Sequence, residues 1–439
     1  MSEPRGGTRE LAQQVARIAL PLDGPADLDP LLDRIGDARY VLLGEASHGT
    51  SEYYQWRARI SQRLIREKGF SFIAVEGDWP DCYRVNSYVK GFPDSGTNAR
   101  EILEAFERWP TWMWANEEIV HLAEWLRRHN AGLAEHKKVG FFGLDVYSLW
   151  ESLYAVLSYL RKADPSLLPA ARRALMCFEP YGEDAQQYAR STALVPSSCE
   201  DDVVALLEEL RGKEPQHRAD RWEEFFTAEQ NALVVKNAEA YYRAMVRGGP
   251  KCWNIRDRHM TETLERLIRH QGPDARAIVW EHNTHIGDAR ATDMADEGMV
   301  NVGQLVRERH AGEGVFLVGF GSHRGSVIAA KEWEAPMEKM TVPPAREGSW
   351  DDVLHWAGGG DKLLLLEDVR EADEFLTERG QRAIGVVYHP EHEQFGNYVP
   401  TALPRRYDAF CYFDETHVLH PLHLRPALEK VPETYPWGV

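Results

Sequence analysis

The sequence predicts an α/β fold with a mainly parallel sheet and a large helical insertion, and three observations carry that expectation. Residues 40–81 form a strand–helix–strand unit. Further short apolar runs recur along the chain, most of them ending in an ionisable residue. Between about residues 150 and 270 no convincing strand occurs, only apolar positions at helical spacing.

The strand–helix–strand unit organises the rest. Tyr40, Val41, Leu42 and Leu43 have the length and aliphatic make-up of a buried strand, which stops at Gly44. Glu45, Ser47 and His48 follow at once, and Gly49, Thr50 and Ser51 supply a turn and a helix start. Tyr53, Trp56, Ile60 and Leu64 then recur at helical spacing, with Arg57 among them. A second apolar run over 70–75 ends in Glu76-Gly77-Asp78-Trp79-Pro80. In such a unit both strands run parallel, so their carboxyl ends share one edge of the sheet, where open α/β sheets bind ligands. Glu45, His48, Glu76 and Asp78 are therefore expected to converge.

In chain order, residues 8–32 read as short helices broken by Pro21 and Pro25. Residues 83–130 read as helical with a loop at 91–96. Trp109, Trp112 and Trp114 in that region serve either helix packing or the apolar wall of a substrate cleft. A third strand is expected over 138–144, closed by Asp145, which is either a helix cap or a site residue. The helical insertion spans 149–272 and divides an α/β core into 1–148 and 273–439. A fourth strand over 277–280 ends in Glu281-His282-Asn283-Thr284-His285. A fifth over 314–320 is followed by His323, a sixth covers 362–366, and a seventh over 383–387 precedes His389. Residues 408–413 read as a last edge strand.

Composition narrows the function. The 439 residues are 43% hydrophobic and carry a formal net charge of −18, which suits a globular chain and argues against nucleic acid as partner. No apolar run is long enough to span a bilayer, and residues 1–14 lack a secretory pattern, so a cytoplasmic protein acting on a small molecule is expected. The five cysteines are odd in number and scattered without a CxxC pair. They are expected to be free thiols.

Several carboxylates and imidazoles at one sheet edge are costly to bury unless they pair or act on a ligand. A neutral imidazole near pH 7 suits general-base work, with a carboxylate fixing its tautomer. His48 fits the base, with Glu45 or Glu76 as orienter. Arg57 can hold a carboxylate or polarise an acyl oxygen, and His282 and His285 can activate water or support an oxyanion. The absence of a G-x-S-x-G elbow favours hydrolysis without a covalent intermediate. Asp78, Asp145, Glu281, His323, Trp112 and Trp114 are the candidate substrate contacts. The same donors can alternatively hold a divalent metal, although no HExxH is present. No cofactor is otherwise expected.

The motifs GEASHGTSEYYQWRARI, AVEGDWPD, FFGLDVYSLW, the NxRD at 254–257 and WEHNTHIGD together resemble the erythromycin esterase family, in the family's order over about 40–420. The resemblance implies a three-layer α/β/α domain with a helical second lobe and a cleft between them. It implies hydrolysis of a macrolide lactone, and hence antibiotic resistance, by histidine-activated water. His48 and Glu45 match the GEASH motif, Glu76 the VEGD carboxylate, Arg57 the arginine of the following helix, and His282 and His285 the EHNxH imidazoles. The wider superfamily that this fold resembles also includes haem-binding and metal-dependent protease-like members. The same site residues leave two alternatives: a metal-dependent hydrolase of an amide or phosphoester, or a non-catalytic small-molecule or haem-binding protein.

Overall fold

The computed structural model describes residues 6–423 except 94, 183–184, 195–197 and 213–221; Asp94 of the expected loop lies outside the described residues. Eleven strands are found among them: β1 (Leu20–Pro21), β2 (Tyr40–Leu43), β3 (Phe72–Asp78), β4 (Gly140–Asp145), β5 (Ala277–Trp280), β6 (Val315–Ala329), β7 (Glu338–Val342), β8 (Lys362–Leu365), β9 (Arg379–Arg382), β10 (Tyr398–Thr401) and β11 (Ala409–Thr416). The main sheet has the order β1-β8-β11-β6-β2-β5-β3-β4. From β11 to β4 every pairing is parallel. Within this sheet β1, β7 and β8 run antiparallel to their neighbours.

The buried, β-branched and aliphatic strands β2, β3 and β5 read as continuous apolar runs because both faces are covered. Alternation sorts their side chains. Val41, Leu43, Ile73, Val75, Ile278 and Trp280 join one core with the helices Ser51–Lys68, Trp79–Lys90 and Glu117–Asn130. Tyr40, Leu42, Phe72, Ala74, Ala277 and Val279 face the opposite core with Pro250–Gln271 and Trp350–Trp356. That is a three-layer α/β/α arrangement.

From Leu149 to Gln271 the described residues are helical, with no strand. Leu149–Ala163, Leu168–Phe178, Glu200–Arg211 and Trp222–Met245 share a core of their own. Trp222–Met245 also places Phe226 and Val234 in the core beneath the sheet. It is buried around most of its circumference, as a helix between two cores must be. No helix among the described residues is long and apolar enough to cross a membrane.

Four expectations are corrected. The fifth strand does not end near residue 320: β6 continues to Ala329 because β7 and β11 pair with its second half, so His323 lies within a strand. Residues 383–387 are not a strand of the main sheet. They follow β9, which pairs with β10 in a separate two-stranded sheet, and make single bridges at Ile384 and Val387. Residues 408–413 form an interior strand, β11 between β6 and β8, which their apolar content suits better than an edge. Finally, Cys177 and Cys199 form a disulfide between the end of one insertion helix and the start of another. Only Cys82, Cys252 and Cys411 are free thiols, all buried.

Candidate active site

The turn after β2 is packed so closely that its glycines have no substitute. A Cβ on Gly44 would stand 2.1 Å from Asn283 Oδ1, and one on Gly49 would stand 1.9 Å from the Ile328 carbonyl oxygen. This pins Glu45 and His48 at the sheet edge. Glu45 Oε1 lies 2.9 Å from His48 Nδ1. Its other oxygen accepts a 2.6 Å bond from Arg57 Nη2. Arg57 is fully buried, stacked between Tyr54 and Trp280 at 4.3 and 4.7 Å from the ring centroids. Burial works to lower the pKa of His48, but the Glu76 charge and the Glu45 hydrogen bond outweigh it and raise the imidazole above its ordinary value.

A second network hangs on Arg256, from the helix Pro250–Gln271. Its Nε and Nη2 donate to the two oxygens of Asp145 at 2.9 and 2.7 Å. Nη2 also donates to Glu76 Oε1 at 2.7 Å, and Nη1 to His285 Nε2 at 3.0 Å. Since His285 Nε2 accepts, the ring proton sits on Nδ1, which donates to Asp257 Oδ1 at 2.9 Å. Trp253 stacks on the same imidazole at 4.5 Å and 6°. His285 is therefore held on every side. Glu76 Oε2 accepts the His282 backbone N–H at 2.8 Å. Burial would raise the Glu76 pKa, but His285, Arg256 and His48 hold it well below the usual carboxylate range. Burial likewise opposes ionisation of Asp145, and Arg256 keeps its pKa lowered.

His282 differs from both other imidazoles. It is the N-cap of the short helix Asn283–Ile286, and its Nδ1 accepts the Thr284 backbone N–H at 3.3 Å. Burial first, and then the neighbouring His48, depress its pKa well below the ordinary value, so the ring is neutral with its proton on Nε2. Nε2 is buried and makes no well-aligned hydrogen bond among the described residues, although the Ala46 backbone weakly favours the charged ring. The rings of His48 and His282 lie 5.0 Å apart.

His48, Glu76, Asp78, Asp145, His282 and His285 all line one cleft with a cavity volume of about 80 Å³. Phe106, Met113, Trp114 and Trp333 form its apolar side. At its polar wall Arg108 Nε donates to Asp78 Oδ2, and Arg108 and Arg256 stand over the Tyr147 ring at 5.3 and 4.8 Å. Burial pushes the Asp78 pKa up to about 7 despite Arg108.

The other sequence candidates stand elsewhere. Glu45 and Arg57 sit behind His48 and do not line the cleft. Trp112 is packed in the core, edge-on to Trp109 at 5.6 Å, whereas Trp114 reaches the cleft and donates to the Glu76 carbonyl oxygen at 3.0 Å. Glu281 is fully buried and does not line the cleft, both carboxyl oxygens are unpartnered among the described residues, and burial raises its pKa well above the usual range. His323 is stacked on His355 at 3.8 Å and is not among the cleft-lining residues. Among the described residues no three of His, Cys, Asp and Glu are placed to hold a metal ion. The sequence had given Arg256, Asp257, Arg108 and Tyr147 no role. Arg256 and Asp257 lie in the NxRD motif, inside the stretch expected to be a helical lobe.

The sequence profile described as erythromycin esterase matches residues 65–416. Erythromycin esterase type II of Escherichia coli is 21% identical over 374 residues, covering 80% of this chain and 86% of that one. A putative hydrolase of Bacillus subtilis, YbfO, is 21% identical over 437 residues, covering 91% and 90%. Among solved structures, one described as a succinoglycan biosynthesis protein superposes with a TM-score of 0.76 at 22% identity, over 95% of this chain and all (100%) of that one. An erythromycin esterase variant in an open conformation superposes with a TM-score of 0.65 at 17% identity, over 90% and 94%. These likenesses extend to the fold.

Proposed function

This chain belongs to the erythromycin esterase family, and from that premise we propose that it hydrolyses an ester or lactone of a small natural product with His48 as general base. The observation that carries the reading is the Glu45–His48 pair at the cleft, in which Nδ1 is committed to the carboxylate and Nε2 remains for a water proton. Arg57 fixes Glu45 from behind, as a third member orients a triad.

In this mechanism His48 Nε2 takes a proton from water as the water oxygen attacks the acyl carbon. The tetrahedral oxyanion accepts the Nε2–H of neutral His282. Collapse breaks the bond to the alcohol oxygen, which takes the proton back from the His48 imidazolium. The carboxylic acid product then loses its own proton to solvent. His285, capped by Arg256 and Asp257, keeps Glu76 and the cleft floor in place and does not carry protons. The helix Pro250–Gln271, packed beneath the sheet, delivers Arg256 to the sheet edge.

A cavity of about 80 Å³ holds an ester group and its flanks but not a drug-sized body, for which several hundred Å³ are usual. Small esters enter whole; a macrolide would leave most of its ring outside.

The test compares wild type and His48→Asn on macrolides and aryl esters, with and without chelator. A loss of about 100-fold or more in kcat/KM for the variant, with ligand affinity retained, is expected for a general base. Turnover that survives the substitution, or that chelator abolishes, overturns the assignment.

A further inference from the structure

Asp78 does not do what an aspartate after a strand ordinarily does. It stands at the N-cap position of the helix Trp79–Lys90, yet its side chain makes no capping bond. Pro80, at the second helical position, has no N–H to offer. Oδ2 accepts from Arg108, while Oδ1 has no partner among the described residues. Asp78 is only 6% exposed and lines the cleft. Leaving a carboxylate oxygen buried and unmatched is costly, and a ligand that donates a hydrogen bond recovers that cost.

We propose that Asp78 Oδ1 receives a hydroxyl group of the substrate, so that the enzyme selects hydroxylated esters over their deoxy counterparts. This rests on the hydrolase reading and names its substrate class. A hydroxyl suits this carboxylate because Arg108 already pairs with it, so no second counter-charge is required. A hydroxyl also both donates and accepts, so it pairs with Asp78 in either protonation state, and the pKa of about 7 puts both states in play near neutrality. The polar demands of the cleft then match one ligand: an acyl oxygen that accepts from His282 Nε2 and a hydroxyl that donates to Asp78.

The probes are 4-nitrophenyl esters of short acids carrying a hydroxyl at successive carbons, each beside its deoxy analogue. A site built around a substrate hydroxyl discriminates strongly, so at least one hydroxy ester is expected to exceed its analogue by about 100-fold or more in kcat/KM. Asp78→Ala is expected to bring that ratio to within about threefold of one through loss on the hydroxy ester, and Asp78→Asn, which keeps an acceptor and the side-chain volume, to retain part of it. A wild-type ratio near one with measurable turnover overturns the proposal. So does an Asp78→Ala variant that slows both esters equally while Asp78→Asn restores both, since that is a purely structural effect. If wild type turns over no ester, the hydrolase reading fails first. Calorimetric binding of the matching hydroxy and deoxy amides then decides: preference for the hydroxy amide, lost in Asp78→Ala, sustains the inference, and equal binding ends it.

Discussion

Arg256 Nη2 meets Glu76 Oε1 at 2.7 Å across 180 residues of sequence, tying the helix that closes the insertion to the carboxyl end of β3. The same guanidinium holds Asp145 on the neighbouring strand and His285 on the turn after β5. Three strand ends are thus fixed by one cation, and most expectations for mutants follow from what it and the two free-facing imidazoles do.

Removing that cation should cost stability. Arg256→Ala leaves Glu76 and Asp145 buried without their counter-charge, and breaking a buried pair from one side costs about 3–5 kcal/mol. Denaturant unfolding should show this as a fall in midpoint, and Arg256→Ala/Asp145→Leu should recover part of it. Equal stability of the single variant and wild type would contradict the hub role.

The pH dependence of turnover reports on His48. Its pKa is raised above the ordinary value, and the base works only when deprotonated, so kcat/KM should climb as pH rises through that raised value. Glu45→Gln removes an anion that favours the imidazolium. The acidic limb should therefore move to lower pH while the plateau falls by at least about tenfold. A limb that stays put or moves upward would assign the titration to another group.

Glu281 makes a stability prediction with a definite sign. Its folded-state pKa lies well above the unfolded value, first because of burial and then because of Glu76 and Asp257. Between those two values the native state binds more protons than the unfolded chain, so stability declines as pH rises, by up to about 1.4 kcal/mol per pH unit. Glu281→Gln removes the titration. Thermal unfolding should find the variant gaining on wild type from pH 5 towards pH 8, and parallel curves would show that Glu281 is ionised.

The disulfide can be counted. Thiol titration of the denatured chain should find three reactive cysteines before reduction and five after it. The bond closes a separation of 22 residues, so Cys177→Ser should cost about 3 kcal/mol on the chain-entropy account, read in the unfolding of the helical segment. Five thiols in protein isolated from a reducing cytoplasm would place the bond outside that compartment.

The sequence by itself determined the parallel strands and the groups at their carboxyl ends. Strand cores are local signals: four apolar residues stopping at a polar turn predict both a buried strand and where its end lies. Because parallel strands share one edge, Glu45, His48, Glu76, Asp78, Asp145, His282 and His285 could be grouped before any coordinates. What those residues face was decided by tertiary structure. Glu281 and His282 are consecutive, yet Glu281 is fully buried and absent from the cleft wall while His282 lines the cleft. His323 followed an apolar run like the others, but β7 and β11 extended its strand and carried it to His355. Residues 383–387 had the composition of a strand, but their neighbours at β9 and β10 paired with each other and left them at the rim. Arg256 and the cystine were invisible for the same reason. Their partners lie on other elements, and pairing across the fold depends on which helix packs over which strand, a choice that no local pattern encodes.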